Sequence, residues 1–373
     1  MKILLAGGGT AGHINPALAI ADCIKAHHPE AEIAFVGNAD SMEERIISRT
    51  DYKFYTMKVR GFQRSFSPQN IKRNVQALWY LATSPQKCKQ ILDDFKPDLV
   101  IGTGGYVSGP IVQAAAGRKI KTAVHEQNAY PGITNKLLSS KVNVTLLAVD
   151  QAQKFMDERA NCVVVGNPVR AGVLTADRAQ SRAMLGYNEG DFVVLSFGGS
   201  LGAQRVNEAA GDLIAHTLLK FDNVYHIHAY GGRGKETFEG KLAEYDVELD
   251  NEKLDIREYI NDMDVCLAAA DLVISRAGAI TLSELQAAGK AAVLIPSPYV
   301  SENHQYHNAM VLQNQGSAIV IEEKDLTAGL LCEVVDSFIT DPEKTAQYGK
   351  NARDNAITDA AERIYAICMD LLG

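Results

Sequence analysis

The chain has 373 residues, and it is short of several things: one tryptophan, six cysteines with no Cys-x-x-Cys pair, and no excess of positive charge. Each shortage excludes a class of protein. Cys23, Cys88, Cys162, Cys266, Cys332 and Cys368 are scattered, which suits reduced thiols and supplies neither a disulfide framework nor a zinc site. No uninterrupted apolar stretch approaches the roughly 18 to 20 residues that a membrane span requires. The opening MKILLAGGG carries too short an apolar run for a signal peptide, so residence in the cytoplasm is expected. A net charge of −8 argues against general nucleic-acid binding. No Asp-x-Asp follows a strand pattern, since Asp262-Met263-Asp264 reads as a helix start. His304 and His307 are three apart but lack a third ligand at metal spacing. Chemistry without a metal or a cofactor is therefore expected.

What is present first is a glycine fingerprint. Gly7, Gly9 and Gly12 in GGGTAGH satisfy G-x-G-x-x-G between the apolar run 3–6 and a helical pattern. A dinucleotide site also needs an acid about 20 residues on, at the end of the second strand, for the ribose hydroxyls. The second strand, AEIAFVG, ends in Val36-Gly37, with Glu32 at its start and Asp40 beyond the turn. Neither acid is in place, which weakens a nicotinamide oxidoreductase. The loop still offers free N–H groups at a helix N-terminus to an anion, and His13 stands at its mouth.

Short apolar strands alternate with helical stretches throughout, which predicts parallel sheets of βαβ units. Length favours two domains. The stretches beginning at Asp98 (DLVIGTGGYVSGP) and Asp271 (DLVISRAGAITLSE) follow one scheme of strand, glycine turn, helix and strand. That likeness fits either a duplication or the ordinary similarity of any two βαβ units. The reading is an α/β protein of two Rossmann-like domains facing a central cleft: residues 1–166, residues 167–350, and a terminal helix 351–373 packing back toward the first domain. The break is placed at Asn167-Pro168, a turn signal. Ligands of such sheets bind beyond the carboxyl ends of the strands, so the cleft is the expected substrate site.

Three stretches carry chemistry. In SRAGAITLSELQAAG a strand ends at Ile274 and a helix follows a glycine turn. Thr281 and Glu284 there form either a capping box, Thr281 as N-cap and Glu284 at N3, or a nucleotide site. In the second case the turn's N–H groups hold a diphosphate and Glu284 takes ribose hydroxyls. FGGSLGAQ offers a second anion turn around Ser200, and Arg170 is either a phosphate counter-charge or a plain surface arginine. HEQNAYPG, residues 125–132, places His, Glu, Gln and Asn after a strand, as sugar recognition or an N-capping loop would.

Taken in order, GGGTAGH, GTGGYVSGP, HEQN, VGNPVR, FGGSLGA, EYINDM, SRAGAITLSE and HQYHNA cover nearly the whole chain. This set resembles the MurG family of N-acetylglucosaminyltransferases, which have the GT-B fold and act in peptidoglycan synthesis. The resemblance implies transfer of N-acetylglucosamine from UDP-N-acetylglucosamine to the 4-hydroxyl of lipid I (undecaprenyl-pyrophosphoryl-N-acetylmuramyl-pentapeptide), with inversion, giving lipid II. A UDP-N-acetylglucosamine 2-epimerase, or another GT-B glycosyltransferase, is the alternative. Donor contacts fall to Thr10, Ala11, Gly12, Asn128, Arg170, Ser200, the Ile260 backbone, Ala279, Ile280, Thr281, Leu282, Ser283, Glu284 and Gln305. Gly104, Gly105 and Tyr106 form an acceptor loop. His13 is the candidate general base, with Glu126 next. One departure stands out: Ala11 occupies a position that is glycine in many relatives, and its methyl group disfavours positive φ.

The acceptor's lipid directs attention to residues 53–92, which contain eight basic residues and no acid. These are Lys53, Lys58, Arg60, Arg64, Lys72, Arg73, Lys87 and Lys89, with Ile71, Val75, Leu78 and Ala82 at helical spacing beside Trp79. Cations beside an aromatic-rich helix suit an anionic membrane surface. The expected location is peripheral, on the cytoplasmic side of the cell membrane.

Overall fold

A computed structural model of the chain describes residues 1–59 and 84–373. It forms two compact units: Met1–Pro168 with Asp359–Gly373, and Val169–Thr358. In the first unit the order is β1 (Lys2–Gly7), α1 (Ala11–His27), β2 (Glu32–Gly37), α2 (Met42–Ile47) and β3 (Lys53–Thr56). Then come α3 (84–95), β4 (Leu99–Gly104), α4 (Ser108–Gly117), β5 (Lys121–Glu126), α5 (Ile133–Leu138), β6 (Val144–Leu147) and β7 (Cys162–Val164).

The second unit begins with α6 (Ala171–Thr175), α7 (Arg178–Leu185), β8 (Phe192–Phe197), α8 (Gln204–Lys220), β9 (Val224–Ala229) and α9 (Lys235–Ala243). It continues with β10 (Leu254–Arg257), α10 (Met263–Ala269), β11 (Leu272–Ser275), α11 (Ala279–Ala288) and β12 (Ala291–Leu294). Helix α12 (His304–Asn314), β13 (Ala318–Val320), α13 (Ala328–Ile339) and α14 (Pro342–Asp354) complete it, and α15 (Ala360–Leu372) returns to the first unit. Residues 351–354 thus end α14 in the second unit, and the terminal helix starts only at Ala360.

Both sheets are parallel and share a plan, β3-β2-β1-β4-β5-β6-β7 and β10-β9-β8-β11-β12-β13. Strand order reverses between β1 and β4 in one and between β8 and β11 in the other, and such switch points open a crevice at the strands' carboxyl ends. The reason the strands read as unbroken apolar runs is visible in β1. Ile3 and Leu5 enter one core with α1 and α15, while Leu4 and Ala6 enter another with α3 and α4. Each fully buried aliphatic side chain contributes about 1.5–3 kcal/mol, and helices on both faces leave no polar side to alternate with.

The echo between the Asp98 and Asp271 stretches has a structural counterpart: β4-α4-β5 and β11-α11-β12 hold the same place in the two sheets. The two aspartates also do the same work. Asp98 accepts from the Lys2 backbone N–H at 2.7 Å, and Asp271 from that of Val193 at 2.8 Å, each fixing the first strand of its sheet. Helix α15 docks on α1 through buried Ile364 and Cys368. Tyr365 stacks on His27 at 4.2 Å, and the His27 ring hydrogen-bonds Glu362 at 2.9 Å.

Candidate active site

In the first unit two glycine loops meet at the switch point. Register places Gly7 of β1 opposite Gly104 of β4, and the loops then touch backbone to backbone. A Cβ on Gly105 would lie 2.2 Å from the Gly8 carbonyl, and Gly105 has φ +81°. Only glycine permits both the approach and the φ. Thr10 is the N-cap of α1, and Ala11 is its first helical residue. The positive φ of this loop falls on Gly9 (+85°) and not on Ala11, so the backbone at 11 does not require glycine.

His13 lies in the first turn of α1, its ring against Gly104: a Cβ there would meet its Cδ2 at 2.8 Å. Its Nδ1 donates to the Gly8 carbonyl at 3.0 Å, with the Thr10 hydroxyl at 3.3 Å. A carbonyl only accepts, so Nδ1 carries a proton, and the tautomer this selects has its lone pair at Nε2. Its backbone is fixed as well, since the Thr103 hydroxyl donates to the His13 carbonyl at 2.7 Å. Tyr106, beside the second loop, is 58% exposed.

The 125–128 segment departs from expectation. His125, Glu126 and Gln127 are buried and form a hydrogen-bonded knot. Glu126 accepts from the backbone and side-chain N–H of Asn128 (2.9 and 3.0 Å), from Gly132 N (3.0 Å) and from Asn135 Nδ2 (2.9 Å). With four donors and 2% exposure, its carboxylate holds the loop and the start of α5. In this structure Glu126, the second candidate base, anchors the loop. The side chain of Asn128, expected on the sugar, is partly engaged in the same knot. His125 donates from Nε2 to the Gly166 carbonyl at 2.9 Å, and burial depresses its pKa.

In the second unit the equivalent crevice is a cavity of about 820 Å³, within the range of small-molecule sites. Gly198, Gly199 and Gly202 after β8, Arg276 and Gly278 after β11, and Thr281 and Gln305 from α11 and α12 are among its walls. Gly199 and Gly202 take φ +94° and +79° on either side of exposed Ser200. Gln305 accepts from Ser297 N at 2.9 Å, tying the start of α12 to the loop after β12. That start is unusual: Glu302 and Asn303 are consecutive non-glycine residues at φ +56° and +50°, the kind of outlier that gathers at functional sites. Arg276, which sequence reasoning passed over, donates to the Ile295 and Pro296 carbonyls (3.1 and 3.2 Å) and pairs with Glu323.

Helix α11 has Gly278 as its N-cap, so Thr281 is the third helical residue and no capping box forms. Ala279, Ile280 and Thr281 form the first turn, and Leu282 N bonds to the Gly278 carbonyl at 3.0 Å. Ser283 bonds back to Ala279. Glu284, one turn on, faces Arg170 in a bidentate pair at 2.5 and 2.8 Å. Glu284 is nearly buried while Arg170 is half exposed. The hydrogen bonds that Arg170 donates to Glu284 raise the guanidinium's pKa against the opposing effect of burial. Ile260 is buried.

A glycosyltransferase family 28 N-terminal domain matches residues 3–146, and a glycosyltransferase family 28 C-terminal domain matches residues 193–364. The chain belongs to glycosyltransferase family 28. A relative from Acetivibrio thermocellus is 43% identical, the match spanning 100% of this chain and 98% of that one. One from Desulfitobacterium hafniense is 38% identical over 99% of both. Each is named UDP-N-acetylglucosamine--N-acetylmuramyl-(pentapeptide) pyrophosphoryl-undecaprenol N-acetylglucosamine transferase. Among solved structures, Acinetobacter baumannii MurG matches with a TM-score of 0.80 at 26% identity over 99% of both chains. A Neisseria meningitidis UDP-GlcNAc 2-epimerase gives a TM-score of 0.68 at 14% identity, covering 99% of this chain and 100% of that one, which is a likeness of fold alone. The family 28 chain is thus a glycosyltransferase of GT-B fold, its two units the Rossmann-like domains. No helix among the described residues is long and apolar enough to cross a membrane.

Proposed function

We propose that this glycosyltransferase moves N-acetylglucosamine from UDP-N-acetylglucosamine to the 4-hydroxyl of the lipid-linked muramyl-pentapeptide, lipid I, at the cytoplasmic face of the membrane. The observation that carries the reading is the full-length 43% identity to a relative named for that transfer. The donor is assigned to the second unit. There Glu284, already oriented by Arg170, accepts from the ribose hydroxyls, and Gln305 meets the sugar. The Ser200 turn and the N-terminal N–H groups of α11 take the diphosphate. Arg170 gives two of its five N–H groups to Glu284, which leaves the others for phosphate.

The acceptor is assigned to the glycine loops of the first unit, Gly104, Gly105 and Tyr106 included. His13 Nε2 removes the proton of the 4-hydroxyl as its oxygen attacks the anomeric carbon. The bond to UDP breaks on the opposite face, and the configuration inverts. Negative charge moves onto the diphosphate, where N–H groups and Arg170 stabilise it.

Docking is assigned to the basic stretch 53–92. Residues 60–83 of it, with Lys72, Arg73 and Trp79, lie outside the described residues. Lys58, Lys87 and Lys89 are exposed, and Lys53 pairs with Asp94 at 3.4 Å. The test is incubation with radiolabelled UDP-N-acetylglucosamine and a lipid I analogue. Label in the lipid is expected. Release of UDP or an isomerised sugar nucleotide without acceptor, and no labelled lipid, would overturn the reading in favour of the epimerase.

A further inference from the structure

The glycine loop after β1 already holds an anion, and the anion is the protein's own. Glu43, the second residue of α2, is 2% exposed. Its carboxylate accepts from Gly9 N at 3.2 Å and from Asn38 N at 3.1 Å, and it has no ion pair among the described residues. The glycines around it make room for it. A Cβ on Gly8 would lie 2.6 Å from Glu43 Oε1, and one on Gly37 would lie 2.4 Å from its Cγ. Burying a carboxylate is costly unless partners solvate it, and here the backbone N–H groups of Gly9 and Asn38 do so, one of them in the glycine loop itself.

The consequence lies in which peptide it grips. Gly9 N–H and the Gly8 carbonyl belong to one amide, and that carbonyl receives His13 Nδ1–H at 3.0 Å. The amide therefore stands between a carboxylate on its N–H side and an imidazole on its C=O side. An anion on the N–H polarises the amide and strengthens its oxygen as an acceptor. The oxygen in turn fixes the ring's tautomer and direction, the service an aspartate performs directly in a hydrolase triad. We propose that Glu43 is a positioning residue for the transfer, acting on His13 through the Gly8–Gly9 peptide. This rests on the reading of His13 as the base. It also assigns the first glycine loop a role other than phosphate binding: one of its N–H groups is committed to Glu43.

The experiment is a double-mutant cycle with Glu43→Gln and His13→Ala in the full chain, with donor KM, kcat and melting temperature measured for each. Glu43→Gln keeps the shape but cannot accept at both amide positions. A fall in kcat of about 10- to 100-fold is expected, the scale on which supporting hydrogen bonds act, with donor KM and melting temperature near wild type. In the His13→Ala background the same change is expected to cost nothing further. An unchanged kcat, or the full loss repeated without His13, would overturn the proposal, the latter marking a role in folding the loop. Near-normal kcat in His13→Ala alone would instead overturn the base assignment on which it rests. Should Glu43→Gln not fold, Gly8→Ala enters the same cycle, because its methyl group displaces the end of a flexible side chain and spares the backbone.

Discussion

Replacing Glu284 and replacing Arg170 should have opposite signatures, although the two residues form one ion pair. The Glu284 side chain is 8% exposed and that of Arg170 is 53% exposed. Removing the carboxylate by Glu284→Ala frees a guanidinium that water can solvate, so stability should stay within about 1 kcal/mol of wild type. Removing the guanidinium by Arg170→Ala strands a carboxylate in a nearly dry site. Breaking a pair in that direction costs about 3 kcal/mol or more, and the melting temperature should drop visibly. Function should suffer in both, for different reasons. If Glu284 accepts from the ribose hydroxyls, its loss removes charge-assisted hydrogen bonds worth about 1.5–3 kcal/mol, or roughly 10- to 150-fold in donor KM. Arg170→Ala should lower kcat as well, because charge develops on the leaving diphosphate. Steady-state kinetics against UDP-N-acetylglucosamine, beside thermal melts and UDP titration calorimetry, measure both sides. A Glu284→Ala protein that melts early yet binds UDP normally would refute the reasoning and leave Glu284 as an anchor for Arg170.

His13→Ala should cut kcat by about 10²-fold or more, the usual scale for a lost general base, while donor KM stays near wild type. Stability should fall with acidity for a reason separate from catalysis. His226 and His228 are fully buried on β9, and burial holds both pKa values down to about 3 from 6.5. The unfolded chain therefore binds protons first: stability is complete above pH 6.5 and is lost as pH falls toward 3. At pH 5 each ring accounts for about 2 kcal/mol, so urea midpoints of the second unit should drop between pH 7.5 and 5, and a flat profile would contradict their burial. Co-sedimentation with anionic liposomes should be strong at low salt and weak at high salt. Lys72→Glu with Arg73→Glu should reduce it without slowing turnover on a soluble short-chain acceptor, and wild type that ignores such liposomes would discard the docking surface.

The sequence by itself determined the architecture. Unbroken apolar strands between helical stretches require a parallel sheet covered on both faces, because there is no polar face to expose. Glycine turns after Gly7 and Gly104, and their counterparts at 198–202 and 276–278, marked the crevices, since switch points and glycine turns are local events that spacing records. The order of the motifs carried the family. The tertiary structure alone decided what the charged side chains do. Spacing offers Glu126 beside a sugar site, and only folding brings the N–H groups of Asn128, Gly132 and Asn135 onto it. Thr281 and Glu284 have capping-box spacing, but the N-cap is Gly278, three residues before Thr281, and Glu284 instead meets Arg170, 114 positions away. Glu43 gave no signal, because the fingerprint seeks its acid at a strand end and this one arrives from the next helix. Spacing reports neighbours within one element. The register of β1 against β2 and β4 sets Ala6 opposite Val36 and Gly7 opposite Gly104, and that register, fixed by packing on both faces, is what brings a carboxylate, a peptide and an imidazole into line.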